Sequence, residues 1–283
     1  MSAAAAERTG PIEGVRPAPT GGPPAAVVLG AGHEGGAALG AVPAGRPLTE
    51  AVAAALAASS GPVCVVPMTL GRDRKLIADC ARALRWLARA EGPGGAGGAG
   101  GAGRLVLAPP FATADHLTAW LRTAALRAVR SAPRTSAVLV TAPTAGPFED
   151  ADLFRVARLV RQYGAHRWVE VAFDGGDPDL AEGAERCRRL GARHVALVRA
   201  AFAPPDDGAA ARDADVVDTG PLLGAAAIEE VLRARVAHAL HGLAHGDDGT
   251  GAGLDAEHGH GYAHAHGPDG AHDHAHGPAH HHH

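Results

Sequence analysis

The sequence predicts an α/β protein of two similar lobes, each a small parallel sheet flanked by helices, with disordered termini. Three observations predict it. Short apolar runs alternate with longer segments of helical periodicity along most of the chain. The runs are continuous, as in VCVVP at Val63–Pro67, which suits strands covered on both faces of a parallel sheet. The pattern then restarts after Ser131-Ala132-Pro133. Both halves close on a strand, a proline and a helix, LVLAPPF…HLTAWLRTAAL and DVVDTGPLLGAAAIEEVLRARV. This reads as a duplication, with lobes over residues 26–130 and 134–243.

The elements follow in order. Residues 1–25 are Pro/Gly-rich without an apolar h-region, so a disordered leader is expected rather than a signal peptide. A strand at Ala26–Gly30 runs into the turn Gly30–Gly36, which carries His33 and Glu34. A helix is expected over Pro47–Ser59, with proline suited to its start, then the strand Val63–Pro67. The helix Arg74–Ala90 places Leu76, Ile77, Cys80, Leu84 and Leu87 on one face. Residues 91–103 offer almost nothing to pack and read as a flexible insertion. The strand Arg104–Ala108 and the helix Thr113–Arg130 complete the first lobe.

In the second lobe, strands are expected at Ala137–Thr141, Trp168–Phe173, His194–Val198 and Asp215–Asp218. Helices are expected at Asp150–Tyr163, Asp177–Leu190 and Ala225–Leu240; Gly164 and Gly191 are good terminators for the first two. Residues 244–283 are expected to form a disordered tail.

Composition excludes several classes. The net charge is −4, and six acids lie beyond Arg235, the last basic residue, so the body is close to neutral. That balance argues against a nucleic-acid partner. No apolar run approaches the ~18 residues of a membrane span. Three cysteines stand far apart without a CxxC pair, which fits reduced thiols in a cytoplasmic protein.

The tail points to metal. Eleven of the eighteen histidines fall between His258 and His283. Neutral imidazole ligates divalent transition metals, and a flexible string of such rings gathers them without a preformed cage. The expected ligands are His258, His260, His264, His266, His272, His274, His276 and His280. The last four histidines also fit a purification tag.

In the body, His33 follows a strand end, where open α/β sheets bind ligands. It reads either as an exposed loop histidine or as a metal ligand or general base. Glu34 beside it is placed to orient the ring or to bind a cation. After the strand at Val63–Pro67, the loop through Lys75 offers Arg72, Arg74 and Lys75 to an acidic ligand, or forms a charged helix start. The spacing GxGxxG from Gly30 to Gly35 lacks the acidic residue of a dinucleotide site. His116, His166, His194, His238 and His241 show no clustering and read as structural or surface residues. No Ser-His-Asp order, GxSxG or GxxxxGK[ST] occurs.

These segments resemble the two-lobed sirohydrochlorin cobaltochelatase family, in its form with a histidine-rich tail. VVLGAGHEGG is similar to the family's apolar run into GHGS. VCVVPMTLGRDRKLIAD resembles its VVVVPLFL…GxHxxxDI segment, and LVLAPPF its APPLG strand. VEVAFDGGDPDLAEGAERCRRLGARHVALV is similar to its second-lobe strand–helix–strand. The resemblance spans residues 26–240 and implies a class II chelatase-like fold. It implies insertion of Co2+, or Ni2+ or Fe2+, into a sirohydrochlorin-type tetrapyrrole of cobalamin or sirohaem synthesis. His33 would be the catalytic base or metal ligand, and Arg72, Arg74 and Lys75 would meet substrate carboxylates. Metal would be the substrate or a tail ligand, with no tightly bound cofactor.

The chain departs from the family pattern in places. The second family histidine falls near Lys75, with Asp79 matching the acid that follows. The second-lobe counterpart of the first motif, LVTAPTAG, has no histidine, and Asp207 falls near its second position. The short stretch between His33 and Pro67 implies that a helix–strand unit is missing. The alternative reading is therefore a catalytically degenerate relative that binds, stores or delivers divalent metal through its tail. A third reading is a tetrapyrrole-binding regulator.

Overall fold

The apolar runs become the inner strands of two sheets. The computed structural model describes residues 25–90, 102–131, 136–164, 166–203 and 215–258. The first sheet contains β1 (Ala26–Ala31), β2 (Val42–Pro43), β3 (Val63–Met68) and β4 (Leu105–Leu107). The second contains β5 (Ser136–Pro143), β6 (Val169–Asp174), β7 (His194–Arg199) and β8 (Val216–Asp218). All pairings are parallel, and the orders β2-β1-β3-β4 and β6-β5-β7-β8 are the same walk repeated. The helices are α1 (Arg46–Ala58), α2 (Arg74–Ala90), α3 (Ala114–Ser131), α4 (Pro147–Gln162), α5 (Leu180–Arg189), α6 (Ala225–Ala244) and α7 (Thr250–Asp255). No helix among the described residues is long and apolar enough to cross a membrane.

Two helix starts differ from expectation for local reasons. α4 begins at Pro147 rather than Asp150, because proline is pre-set for the first helical position. α5 begins at Leu180 rather than Asp177, because Asp179 caps it, its side chain accepting from the Glu182 amide at 2.8 Å.

The helix–strand unit expected to be missing from the first lobe is shrunken instead. A 3-10 turn at Gly36–Leu39 stands where the second lobe has α4, and β2 pairs only as Gly30↔Val42 and Ala31↔Pro43. The stretch is too short for an α-helix, and the tighter 3-10 form suits one turn.

The terminal helices are exchanged. α3, the last helix of the first lobe, packs on β5, β7 and α4, while α6 packs on β3 and β4. Leu117 and Leu121 of α3, Val138 and Val140 of β5, and Leu232 and Val236 of α6 share one core with Cys64 and Val66 of β3. The lobes are thus stitched by apolar burial, worth roughly 25 cal/mol per Å² removed from water. The outer faces hold smaller cores, α1 and α2 on the first sheet and α5 on the second.

The tail corrects the expectation of disorder from residue 244. α7 and a 3-10 turn at Ala256–His258 pack against α2. Arg85 Nε donates to Thr250 Oγ1 at 3.2 Å, and Arg82 Nη2 to Glu257 Oε2 at 2.7 Å. Leu254 joins the α1–α2 core. Small residues make the approach possible: a Cβ on Gly249 would collide with the Leu107 carbonyl, and one on Gly253 with the Leu107 side chain. Residues 102–104 form a 3-10 turn at the end of the expected insertion. The leader through residue 24, residues 91–101 and the tail from residue 259 lie outside the described residues.

Buried His166 yields a prediction. Neither of its ring nitrogens has a partner among the described residues, and burial lowers its pKa. Below about pH 6.5 the unfolded chain takes up a proton that the folded state refuses. Stability contributed at this position is therefore lost as pH falls from 6.5 through the lower folded value. His166→Leu is expected to flatten that slope between about pH 7 and pH 5.5 in urea unfolding. An unchanged slope would remove His166 as its cause.

Candidate functional site

The site begins where β1 ends. A Cβ on Gly32 would collide with Asp73 Oδ2, so glycine lets the β1 loop lie against the start of α2. This sets His33 Nδ1 3.1 Å from Asp73 Oδ2. The other oxygen, Asp73 Oδ1, accepts from the Leu76 amide at 2.9 Å and caps α2. Burial alone would raise the Asp73 pKa, but hydrogen bonds from His33 and the Leu76 amide outweigh it and hold the carboxyl below its ordinary value. An ionised carboxylate only accepts, so the neutral His33 ring carries its proton on Nδ1. Nε2 is then the basic nitrogen. It is buried and has no partner among the described residues.

Gly32→Ala should break this pair before it breaks the fold. The new methyl displaces the flexible Asp73 carboxylate while β1 keeps its register. The expected result is loss of the His33–Asp73 signature in the imidazole NMR spectrum with circular dichroism retained. A persisting signature would show that the loop accommodates the methyl.

Glu34 was expected as a partner of the His33 site and possible metal ligand. Its side chain is fully buried, and Oε2 takes the Thr69 hydroxyl and the Leu70 amide, the latter at 2.8 Å. Thr69 Oγ1 accepts from the Gly71 and Asp73 amides at 3.0 and 3.1 Å, so its own proton is left for Glu34. Burial raises the Glu34 pKa against the lowering effects of Arg72, Thr69, His33 and the Leu70 amide. Glu34 therefore braces the β3–α2 loop through Oε2, while Oε1 is buried without a hydrogen-bond partner among the described residues. Its carbonyl accepts from the Phe202 amide at 2.9 Å, joining the loop to the second lobe.

The expected substrate-binding cations also move. Arg72 is buried, its Nε donating to the Glu149 carbonyl at 3.1 Å and Nη2 to Asp150 Oδ1 at 3.0 Å. It is an interlobe clamp, not an exposed carboxylate binder. Arg74, at the start of α2, lies 3.6 Å from Asp152 of α4 and is one-third exposed. Lys75 is exposed and pairs with Asp79 at 2.6 Å, one turn along α2. In the second lobe Thr144 follows the β5 end, in the LVTAPTAG segment, and donates to Asp150 Oδ2 at 3.2 Å. Asp207 lies outside the described residues.

A pocket of about 310 Å³ is lined by Ile77, Pro109, Pro110, His238 and Asp247 among others. A smaller one lies among Leu70, Phe202, Leu222 and Ile228. Neither is lined by His33. The tail ligands His260 to His280 and the side chain of His258 lie outside the described residues. Among the described residues, no three His, Cys, Asp or Glu side chains converge as a metal site.

Asp73 is the residue that sequence reasoning missed. An aspartate one place before a helix signals a cap, and it is one. Nothing local says that its second oxygen meets His33, forty residues away in sequence.

No protein-family model matches the chain, and no curated protein does. The fold is similar to that of SirB from Bacillus subtilis with Fe3+, at a TM-score of 0.50 and 13% identity, covering 79% of this chain and 98% of that one. The sirohydrochlorin chelatase SirB from Bacillus subtilis subspecies spizizenii in complex with cobalt gives a TM-score of 0.47 at 13% identity, covering 77% and 95%. DR2241 from Deinococcus radiodurans, a multi-domain protein with structural similarity to chelatases, gives 0.43 at 18% identity, covering 75% and 55%. The likeness to the iron-bound SirB is one of fold: the two parallel-sheet lobes are shared.

Proposed function

We propose that this chain inserts a divalent metal ion, Co2+ first and Ni2+ or Fe2+ as alternates, into a sirohydrochlorin-type tetrapyrrole on a route to cobalamin or sirohaem. The observation that carries the reading is His33, held by Asp73 at a strand end, with a buried Nε2 that has no hydrogen-bond partner among the described residues. Four pyrrole nitrogens take up a metal only after two N–H protons leave. A neutral imidazole accepts such protons near pH 7, and an ionised carboxylate behind it stabilises the cation that results. The chelate is far more stable than its separated parts, so no ATP and no tightly bound cofactor is needed. Arg74 and Lys75, partly and largely exposed near the start of α2, pair with Asp152 and Asp79 and would exchange these partners for substrate carboxylates. The fold shared with SirB supports the reading. Three buried free thiols, Cys64, Cys80 and Cys187, are in keeping with a cytoplasmic protein.

The second reading is a metal-binding protein without turnover. It is favoured by His33 not lining the 310 Å³ pocket, and by Lys75 in the second histidine's place. One assay separates the two. Sirohydrochlorin and Co2+ with protein should change the visible spectrum faster than without it. The binder predicts no acceleration, and several weakly bound tail ions that are lost when the chain ends at His258, which leaves α7 intact.

A further inference from the structure

His241 reads alone as a structural or surface residue, but the fold pairs it with His245, the residue that ends α6. The ring centres of His241 and His245 lie 4.5 Å apart at an interplanar angle of 47°, and both side chains are exposed. His245 Nδ1 is 2.8 Å from the His241 carbonyl oxygen. A carbonyl only accepts, so Nδ1 carries the proton and the neutral ring presents Nε2 as a lone-pair donor. A hydrogen bond from the far ring nitrogen to a backbone carbonyl is how proteins orient a metal-ligating histidine.

We infer that His241 and His245 form a site for one divalent first-row transition-metal ion, separate from His33. The ring spacing fits a shared ion. A metal about 2.1 Å from a ring nitrogen lies about 3.2 Å from that ring's centre, so two rings sharing it at roughly a right angle sit about 4.5 Å apart. His241 lies in the last turn of α6 and His245 is the residue that ends it, so the close of the helix brings the two rings together. The charge also fits. The pair closes α6, where the negative end of the helix dipole favours a cation. Asp247 and Asp248 follow directly, their carboxylates held by the Gly249 and Thr250 amides, so they add negative charge without crowding the ion.

The segment is also anchored. The Asp248 carbonyl accepts from the Leu107 amide at 2.8 Å, and the Asp247 amide donates to the Gly242 carbonyl at 3.0 Å. The rings thus sit on a braced helix end rather than a loose terminus. Two protein nitrogens leave solvent to complete the coordination, which makes the site an exchange point for metal rather than a structural cage.

The test uses the full-length chain with the eleven histidines from His258 to His283 replaced by asparagine, which removes the competing tail. Cu2+, the tightest-binding of these ions, is the probe. One equivalent should bind with an EPR pattern of two imidazole nitrogens. His241→Asn combined with His245→Asn should weaken binding at least about tenfold and abolish that pattern, with the urea midpoint retained. His33→Asn should leave both unchanged. The inference is overturned if the double variant binds Cu2+ with unaltered affinity and spectrum, which would make His245 a helix cap only. It is equally overturned if the pattern disappears with His33.

Discussion

Arg72→Ala is expected to cost the folded protein about 3–5 kcal/mol, read as a lower urea midpoint, because it breaks a buried charge network from one side. The guanidinium has no exposed surface and spans the lobes, from the β3–α2 loop to Glu149 and Asp150 at the start of α4. Its charge also opposes the effect of burial on Glu34. Without it, Glu34 is left a buried carboxyl with less to stabilise its ionised form, and Asp150 loses a donor. Arg72→Lys should recover little, since an ammonium is a point donor and cannot reproduce the planar fork that serves two acceptors. A midpoint unchanged in Arg72→Ala would show that the exchanged helices α3 and α6 alone hold the lobes together.

His33→Ala is expected to lower kcat for metal insertion about a hundred- to ten-thousand-fold, the usual worth of a positioned general base. Asp73→Asn should lower it about ten- to a hundred-fold, as loss of an orienting partner does. The pair of variants separates chemistry from structure. Asparagine caps a helix start as well as aspartate, so α2 and the urea midpoint should be kept while the rate falls. KM should change little, because neither group is argued to hold substrate carboxylates. A His33→Ala protein as fast as the wild type would remove this imidazole from the reaction, and the metal-binding reading would then stand.

Much of the architecture was legible in order along the chain. Continuous apolar runs marked strands covered on both faces, and the repeated strand–proline–helix ending marked two lobes. His33 was legible because it follows a strand end in a glycine-rich turn. The tail from residue 244 misled for a physical reason: glycines that signal disorder when nothing is near them also allow tight packing. Gly249 and Gly253 do the second, against Leu107.

Local periodicity reports that a helix buries one face, and proximity along the chain reports its caps and turns; both are short-range quantities carried by neighbouring residues. The positions of most strands and helices along the chain and the metal affinity of imidazole are of this kind. Which sheet α3 and α6 cover is not, nor is the burial of Arg72 beneath α4, nor the meeting of His33 with Asp73. Those depend on long-range closure, where the apolar faces of both halves merge into a single core and carry the polar groups at their edges into contact. An arginine and an aspartate look alike in sequence whether they face water or each other; only the packing around them says which.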